Sequence, residues 1–315
     1  MFIDPNAATS AAQAANPGPA AAWLAATRPR SLLVAISPVL VGAALGWQRT
    51  GRLDVMVAAI VLLAAVLIQV ASNLQNDVGY TVRGAERVGQ RIGLPRATAQ
   101  GWLPVPVVRA AVVGVVMMAV LLGVWLVALR GWPVLAMGAA SLLAAVAYMG
   151  GPRPIAYTPF GELTVFVFFG QVAVMGTDWV LTGSVGATSM LASVAIGGLA
   201  AAALAVNNQR DIAHDTLVGR RTLAVCVGAA WARRCYAALL FGPFVLCPGM
   251  AWTGRSAALL LPLLLVPSAL ALRRDFDACP PGMAYNQVLF RTFRLELAFA
   301  VLLACGAVLG RLVVI

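Results

Sequence analysis

Apolar residues fall along this chain in nine long runs, separated by short segments rich in arginine, glycine and proline. The runs cover roughly 31–47, 55–71, 110–129, 134–149, 160–176, 190–206, 235–252, 257–272 and 297–315. A helix crossing about 30 Å of hydrocarbon takes about twenty apolar residues, so flanking residues must complete the shorter runs. The pattern predicts an all-α membrane protein with nine transmembrane helices. Pro38, Pro243, Pro248, Pro262 and Pro267 fall inside runs, which a bundle tolerates because neighbouring groups re-satisfy the freed backbone. Recurrent Gly and Ala suit close helix packing in lipid.

Composition agrees. Of 315 residues, 61% are hydrophobic and 10% charged, with a mean hydropathy of +0.89, where soluble domains carry about 25% charged residues. The net charge of +11 does not imply nucleic acid, because the arginines lie scattered between apolar runs. Nine alternating spans put 17 of the 22 basic residues, all of them Arg, on one side and 5 on the other. The arginine-rich side is therefore expected to be cytoplasmic, in a multi-pass protein of a bacterial cell (inner) membrane. Residues 1–22, rich in Ala, Pro and Asn, predict a disordered tail without the basic and apolar regions of a signal peptide. Residues 23–315 then form one transmembrane domain. The five cysteines lack any disulfide or zinc spacing.

The polar residues repeat. The second run ends in Asn73-Leu74-Gln75-Asn76-Asp77 and the sixth in Asn207-Asn208-Gln209-Arg210-Asp211. Both read N-x-Q-x-D, and both leave the membrane on the same side. This predicts two four-helix pseudo-repeats plus one further helix, each repeat delivering a polar cluster to a shared cavity.

Asp211 and Asp215, four residues apart, share one helical face. Adjacent bare carboxylates repel, and a hard cation relieves them. Mg²⁺ prefers one or two carboxylates with phosphate oxygens. Asp77, Asp211 and Asp215 are thus the expected catalytic carboxylates, and with Asn73 the expected metal ligands; Asn207 and Asn208 offer further oxygens. Arg83, Arg96, Arg153, Arg210, Arg220 and Arg221 lie beside these clusters, and planar guanidinium groups suit phosphate. The Gly150–Pro154 turn is expected to aim Arg153. His214, the only histidine, is expected on the solvent side of its helix. Metal, diphosphate and a membrane-embedded apolar cavity together suit ionisation of a prenyl diphosphate. Acids gathered at one membrane edge argue against a transporter, whose coupling charges belong near the midplane.

Several stretches, in order, resemble the motifs of the UbiA superfamily of membrane prenyltransferases. They are Arg28-Pro29-Arg30-Ser31-Leu32, the Asn73–Asp77 cluster with Arg83-Gly84-Ala85-Glu86, and Arg96–Gly101. Gly151-Pro152-Arg153-Pro154, Gly161-Glu162-Leu163, Phe168-Phe169-Gly170 and Asn207–Ala224 complete the set. Asn286 and Thr292 extend the likeness into the last loop. The resemblance implies a UbiA-type bundle and Mg²⁺-dependent transfer from a polyprenyl diphosphate to an aromatic acceptor. Its nearest branch implies 1,4-dihydroxy-2-naphthoate as acceptor, in menaquinone biosynthesis; 4-hydroxybenzoate and homogentisate are the alternatives. One departure stands out: Tyr80 occupies the position of a second aspartate in the first cluster. Asp211 and Asp215 are then expected to carry more of the metal binding.

Overall fold

The computed structural model describes residues 17–86, 93–280 and 282–314, and every regular element among them is helical. Helix α1 (Pro19–Thr27) leads through a 3₁₀ turn, Pro29–Leu32, into α2 (Leu33–Thr50). Three helices follow: α3 (Val55–Val82), α4 (Val105–Arg130) and α5 (Trp132–Ala147). The next span starts as α6 (Gly161–Val165), passes through a π-helical stretch, Phe166–Met175, and ends as α7 (Gly176–Thr182). The chain then forms α8 (Ala187–Leu217), the short α9 (Leu223–Val227) and α10 (Ala229–Thr253). A 3₁₀ stretch, Ala257–Leu265, continues into α11 (Val266–Ala278), and α12 (Tyr285–Val314) closes the bundle.

Each of the nine apolar runs lies in a helical span. Among the described residues eight spans are long and apolar enough to cross a membrane, whereas α5, with 16 residues, is shorter. The helices outrun their apolar stretches at the polar clusters. Helix α3 continues to Val82, α8 continues to Leu217, and α12 begins at Tyr285. Hydropathy falls in these extensions, but Asn73, Asp77, Asn208, Asp211 and Asp215 remain buried there. Burial against neighbouring segments keeps the backbone helical where lipid contact has ceased.

The predicted tail 1–22 is corrected at its end. Pro19 opens α1, as proline suits the first helical turn, and Ala22 and Ala26 are fully buried beside Leu74, Val78 and Ala97. Residues 1–16 lie outside the described residues, as do Arg87 and Arg91. The five cysteines are free.

Helix α8 is the central element: small residues let it touch neighbours on nearly every side, and its core includes Ile196, Leu199 and Ala200–Ala203. Its tightest contact is with the π-helical stretch, where Gly170 and Gly197 face each other. A Cβ on Gly197 would lie 3.0 Å from the Gly170 Cα, so both positions need glycine for close backbone approach. Gly197→Val is expected to destabilise the protein by about 1–3 kcal/mol through overpacking, read as a lowered unfolding temperature in detergent.

Candidate active site

A cavity of about 1040 Å³ lies between α2, α3, α4, α5, the 161–182 span, α8 and α12. Most of its wall is apolar, with Val61, Leu126, Val134, Phe168, Phe169 and Val180 along its length. One end is polar and receives Arg28 and Arg30 from the 3₁₀ turn region, Gln69, Asn73 and Asn76 from α3, Asn207 and Arg210 from α8, and Asn286 from α12. The two N-x-Q-x-D clusters thus meet at one end of one cavity.

The α3 cluster is tied into the scaffold. The Asn73 amide donates to the Thr27 carbonyl (2.8 Å) and the Ser31 hydroxyl (2.9 Å), fixing the segment that carries Arg28 and Arg30. Arg28 itself holds a left-handed backbone, φ 53°, which is uncommon outside glycine. Arg30 lies over the Phe290 ring at 4.3 Å. Asp77 is fully buried and closes on the next loop: its Oδ2 accepts from Ala97 N at 2.9 Å, and its Oδ1 accepts from Thr98 N at 2.8 Å and Thr98 Oγ1 at 2.5 Å. Asn76, one residue earlier, faces the cavity, and its buried Oδ1 has no hydrogen-bond partner among the described residues.

The α8 cluster is organised by arginine. Arg210 grips Asp211 with two 2.7 Å hydrogen bonds and donates a third to the Asn286 Oδ1. Asp215, fully buried, accepts from Arg220 Nη1 at 2.6 Å, while Arg220 Nε reaches the Ala156 carbonyl at 3.1 Å. The repulsion expected between Asp211 and Asp215 is therefore relieved by one arginine each. Asn208 turns away from the cavity and donates to Glu162 Oε1 at 2.8 Å.

Arg83 donates to the Gly151 carbonyl, and Arg96, almost fully buried, lies 3.6 Å from Glu86. Tyr80 is buried with the Arg96 and Arg220 guanidiniums over its ring. Burial raises the Tyr157 pKa above its ordinary value, so this phenol meets Arg83 and Arg220 as a neutral ring. Burial works against the Arg220 charge, but Tyr80 and Asp215 outweigh it and hold its pKa above the ordinary value.

Other expected positions fall elsewhere. Arg153 is exposed and does not line the cavity; the turn that carries it offers its Gly151 carbonyl to Arg83 instead. Arg221 is exposed, with its backbone N–H bound to the Tyr157 carbonyl. His214 is not on the solvent side: it is buried, and its Nε2–H donates to the Ala85 carbonyl at 2.8 Å. Glu296 is fully buried in α12, and among the described residues neither of its carboxyl oxygens has a hydrogen-bond partner; it does not line the cavity.

Among the described residues no three acidic, histidine or cysteine side chains form a ready-made metal cluster. Asp77 spends both carboxylate oxygens on the 97–98 turn, and the Asn73 Oδ1 accepts from the Gln69 side chain at 3.3 Å. The chemistry of the remaining donors fits a hard cation arriving with its own phosphate oxygens. Asn76 offers a buried, unpartnered oxygen, and Asn207 and Asp211 share one face of α8, one turn apart.

The chain matches the UbiA prenyltransferase family over residues 35–278. It is 37% identical to the 1,4-dihydroxy-2-naphthoate octaprenyltransferase of Escherichia coli over 71% of this chain and 74% of that one. It is 30% identical to the enzyme of the same name from Bacillus subtilis over 90% and 91%. A UbiA homolog from Archaeoglobus fulgidus bound to DMAPP and Mg²⁺ superposes with a TM-score of 0.65 over 91% of this chain and 98% of that one, at 13% identity. Motif order, sequence match and the shared helical fold lead to one conclusion: this chain belongs to the UbiA prenyltransferase family.

Proposed function

We propose that this prenyltransferase moves a polyprenyl group from its diphosphate to 1,4-dihydroxy-2-naphthoate, with Mg²⁺, at the cytoplasmic edge of a bacterial cell membrane. The observation that carries this reading is a long apolar cavity ending in arginine and asparagine, with Asp211 paired to the lining residue Arg210. The naphthoate acceptor follows the names of the E. coli and B. subtilis relatives. The membrane side follows the arginine asymmetry.

The apolar walls take the polyprenyl chain, and the polar end takes the diphosphate. Arg210 lines that end, and Arg220, Arg96 and Arg83, which stand outside the lining itself, are assigned to adding positive charge, while Asn76, Asn207, Asp211 and Asp215 are assigned to holding Mg²⁺. Mg²⁺ would supply charge to neutralise the leaving diphosphate. The carbon–oxygen bond breaks with its electron pair departing on diphosphate, and the allylic carbon becomes cationic. Phe168 and Phe169 line the cavity and are assigned to stabilising that cation and keeping water out. An electron-rich ring carbon of the acceptor then forms the new carbon–carbon bond, and that carbon loses its carboxyl group as CO₂. Arg28 and Arg30, which line the cavity on the segment held by Asn73, are assigned to pairing with the acceptor carboxylate before it leaves.

Two expectations follow, both read as diphosphate release by purified protein given a polyprenyl diphosphate and dihydroxynaphthoate. Asp211→Ala is expected to lose about 100-fold or more in kcat, the scale of a lost transition-state charge contact, and chelation of Mg²⁺ to abolish turnover until it is restored. Full turnover by either would defeat the metal assignment. Arg210→Ala is expected to fall by a similar factor, whereas Arg153→Ala stays within about 3-fold of wild type, as for an exposed substitution. Equal losses in the two would contradict the cavity boundary.

A further inference from the structure

The arginines beside the polar end are not held by carboxylates alone. The Arg96 guanidinium lies 4.0 Å from the centre of the Tyr80 ring, and that of Arg220 lies 5.2 Å from it. Arg220 is also 5.7 Å from the Tyr157 ring, and Arg83 is 5.5 Å from the same ring. Arg96, Tyr80, Arg220, Tyr157 and Arg83 thus form an alternating series of cations and rings. Its members come from α3, the 96–98 turn, the 3₁₀ turn Ile155–Tyr157 and the segment after α8.

Three guanidiniums so close repel one another. Glu86 at 3.6 Å and Asp215 at 2.6 Å offset part of that repulsion, and the electron-rich ring faces offset more. A guanidinium with its flat face on a ring keeps its N–H groups in the plane, available to an anion, and loses the freedom of its long stem. The series adjoins the cavity. Asn76 precedes Tyr80 by one helical turn, Pro95 precedes Arg96 in sequence, and both line the cavity, with the series standing directly behind them.

We propose that Tyr80 is a positioning residue for the transfer reaction: its ring holds Arg96 and Arg220 oriented toward the diphosphate. The inference rests on the diphosphate reading given above. Tyr80 itself does not line the cavity. Its removal therefore weakens diphosphate capture and leaves acceptor capture alone. The ring carries the effect, so phenylalanine substitutes for tyrosine and an aliphatic side chain does not.

The test measures binding of inorganic diphosphate with Mg²⁺ by calorimetry on the purified full chain, alongside KM for geranylgeranyl diphosphate and for the acceptor. Tyr80→Leu is expected to raise the diphosphate Kd and the prenyl diphosphate KM by about 5- to 30-fold, the range of one or two desolvated cation–π contacts. The acceptor KM stays put. Tyr80→Phe restores the wild-type Kd within about 2-fold on the same grounds. Tyr157→Leu reads the same series without removing a fully buried ring, and is expected to raise the Kd about 3-fold. An unchanged Kd in Tyr157→Leu, or equal losses in Tyr80→Leu and Tyr80→Phe, overturns the proposal. Wild-type protein that binds no diphosphate overturns the underlying functional reading instead.

Discussion

A carboxylate withdrawn from water at the edge of a membrane needs a cation or several hydrogen-bond donors, and the rest of this site follows from how that need is met. Leaving one ion of a buried pair without its partner costs about 3–5 kcal/mol. Asp211 and Asp215 meet the need with Arg210 and Arg220, whereas Asp77 meets it with two backbone N–H groups and a hydroxyl. The two repeated clusters therefore look alike in sequence and do different work. The α8 cluster holds charge beside the cavity. The α3 cluster pins the 96–98 turn, and with it Arg96, against the bundle.

This arrangement links the fold to the chemistry. Helix α8 can deliver charged groups to the cavity because small side chains let neighbouring helices pack around it. Its extension to Leu217 is buried against neighbouring segments, with Arg210 and Arg220 pairing its two carboxylates. The π-helical stretch opposite places Phe168 and Phe169 on the cavity wall next to the Gly170–Gly197 contact, and such stretches often mark functional sites. A close backbone approach and an aromatic cavity wall thus share one segment.

A charge-dense polar end also has to avoid collapsing into a closed salt-bridge network that admits no substrate. Arg210 is already committed to Asp211 and Asn286. In the proposed reaction, a diphosphate arriving with a divalent cation would bring both signs of charge and so exchange with existing pairs without stranding a buried ion. The same consideration explains why no three-acid cluster is assembled beforehand among the described residues: unneutralised, it would repel itself.

Sequence alone determined the helical membrane class, the positions of the nine apolar runs, and the identity of the two clusters that each send residues into the cavity wall. Those features are written in local composition and in a five-residue repeat, and they survive folding because lipid and helix geometry act on each segment separately. Tertiary structure decided what each polar side chain does. The helices extend past their apolar runs because neighbours bury the polar extensions, which hydropathy cannot register. Asp77 became a loop anchor and Arg153 an exposed turn residue, while Asn76 and Asn286 joined the cavity. His214 was turned inward onto Ala85. Each outcome depends on a partner distant in the chain, and no spacing within the segment records where that partner will stand.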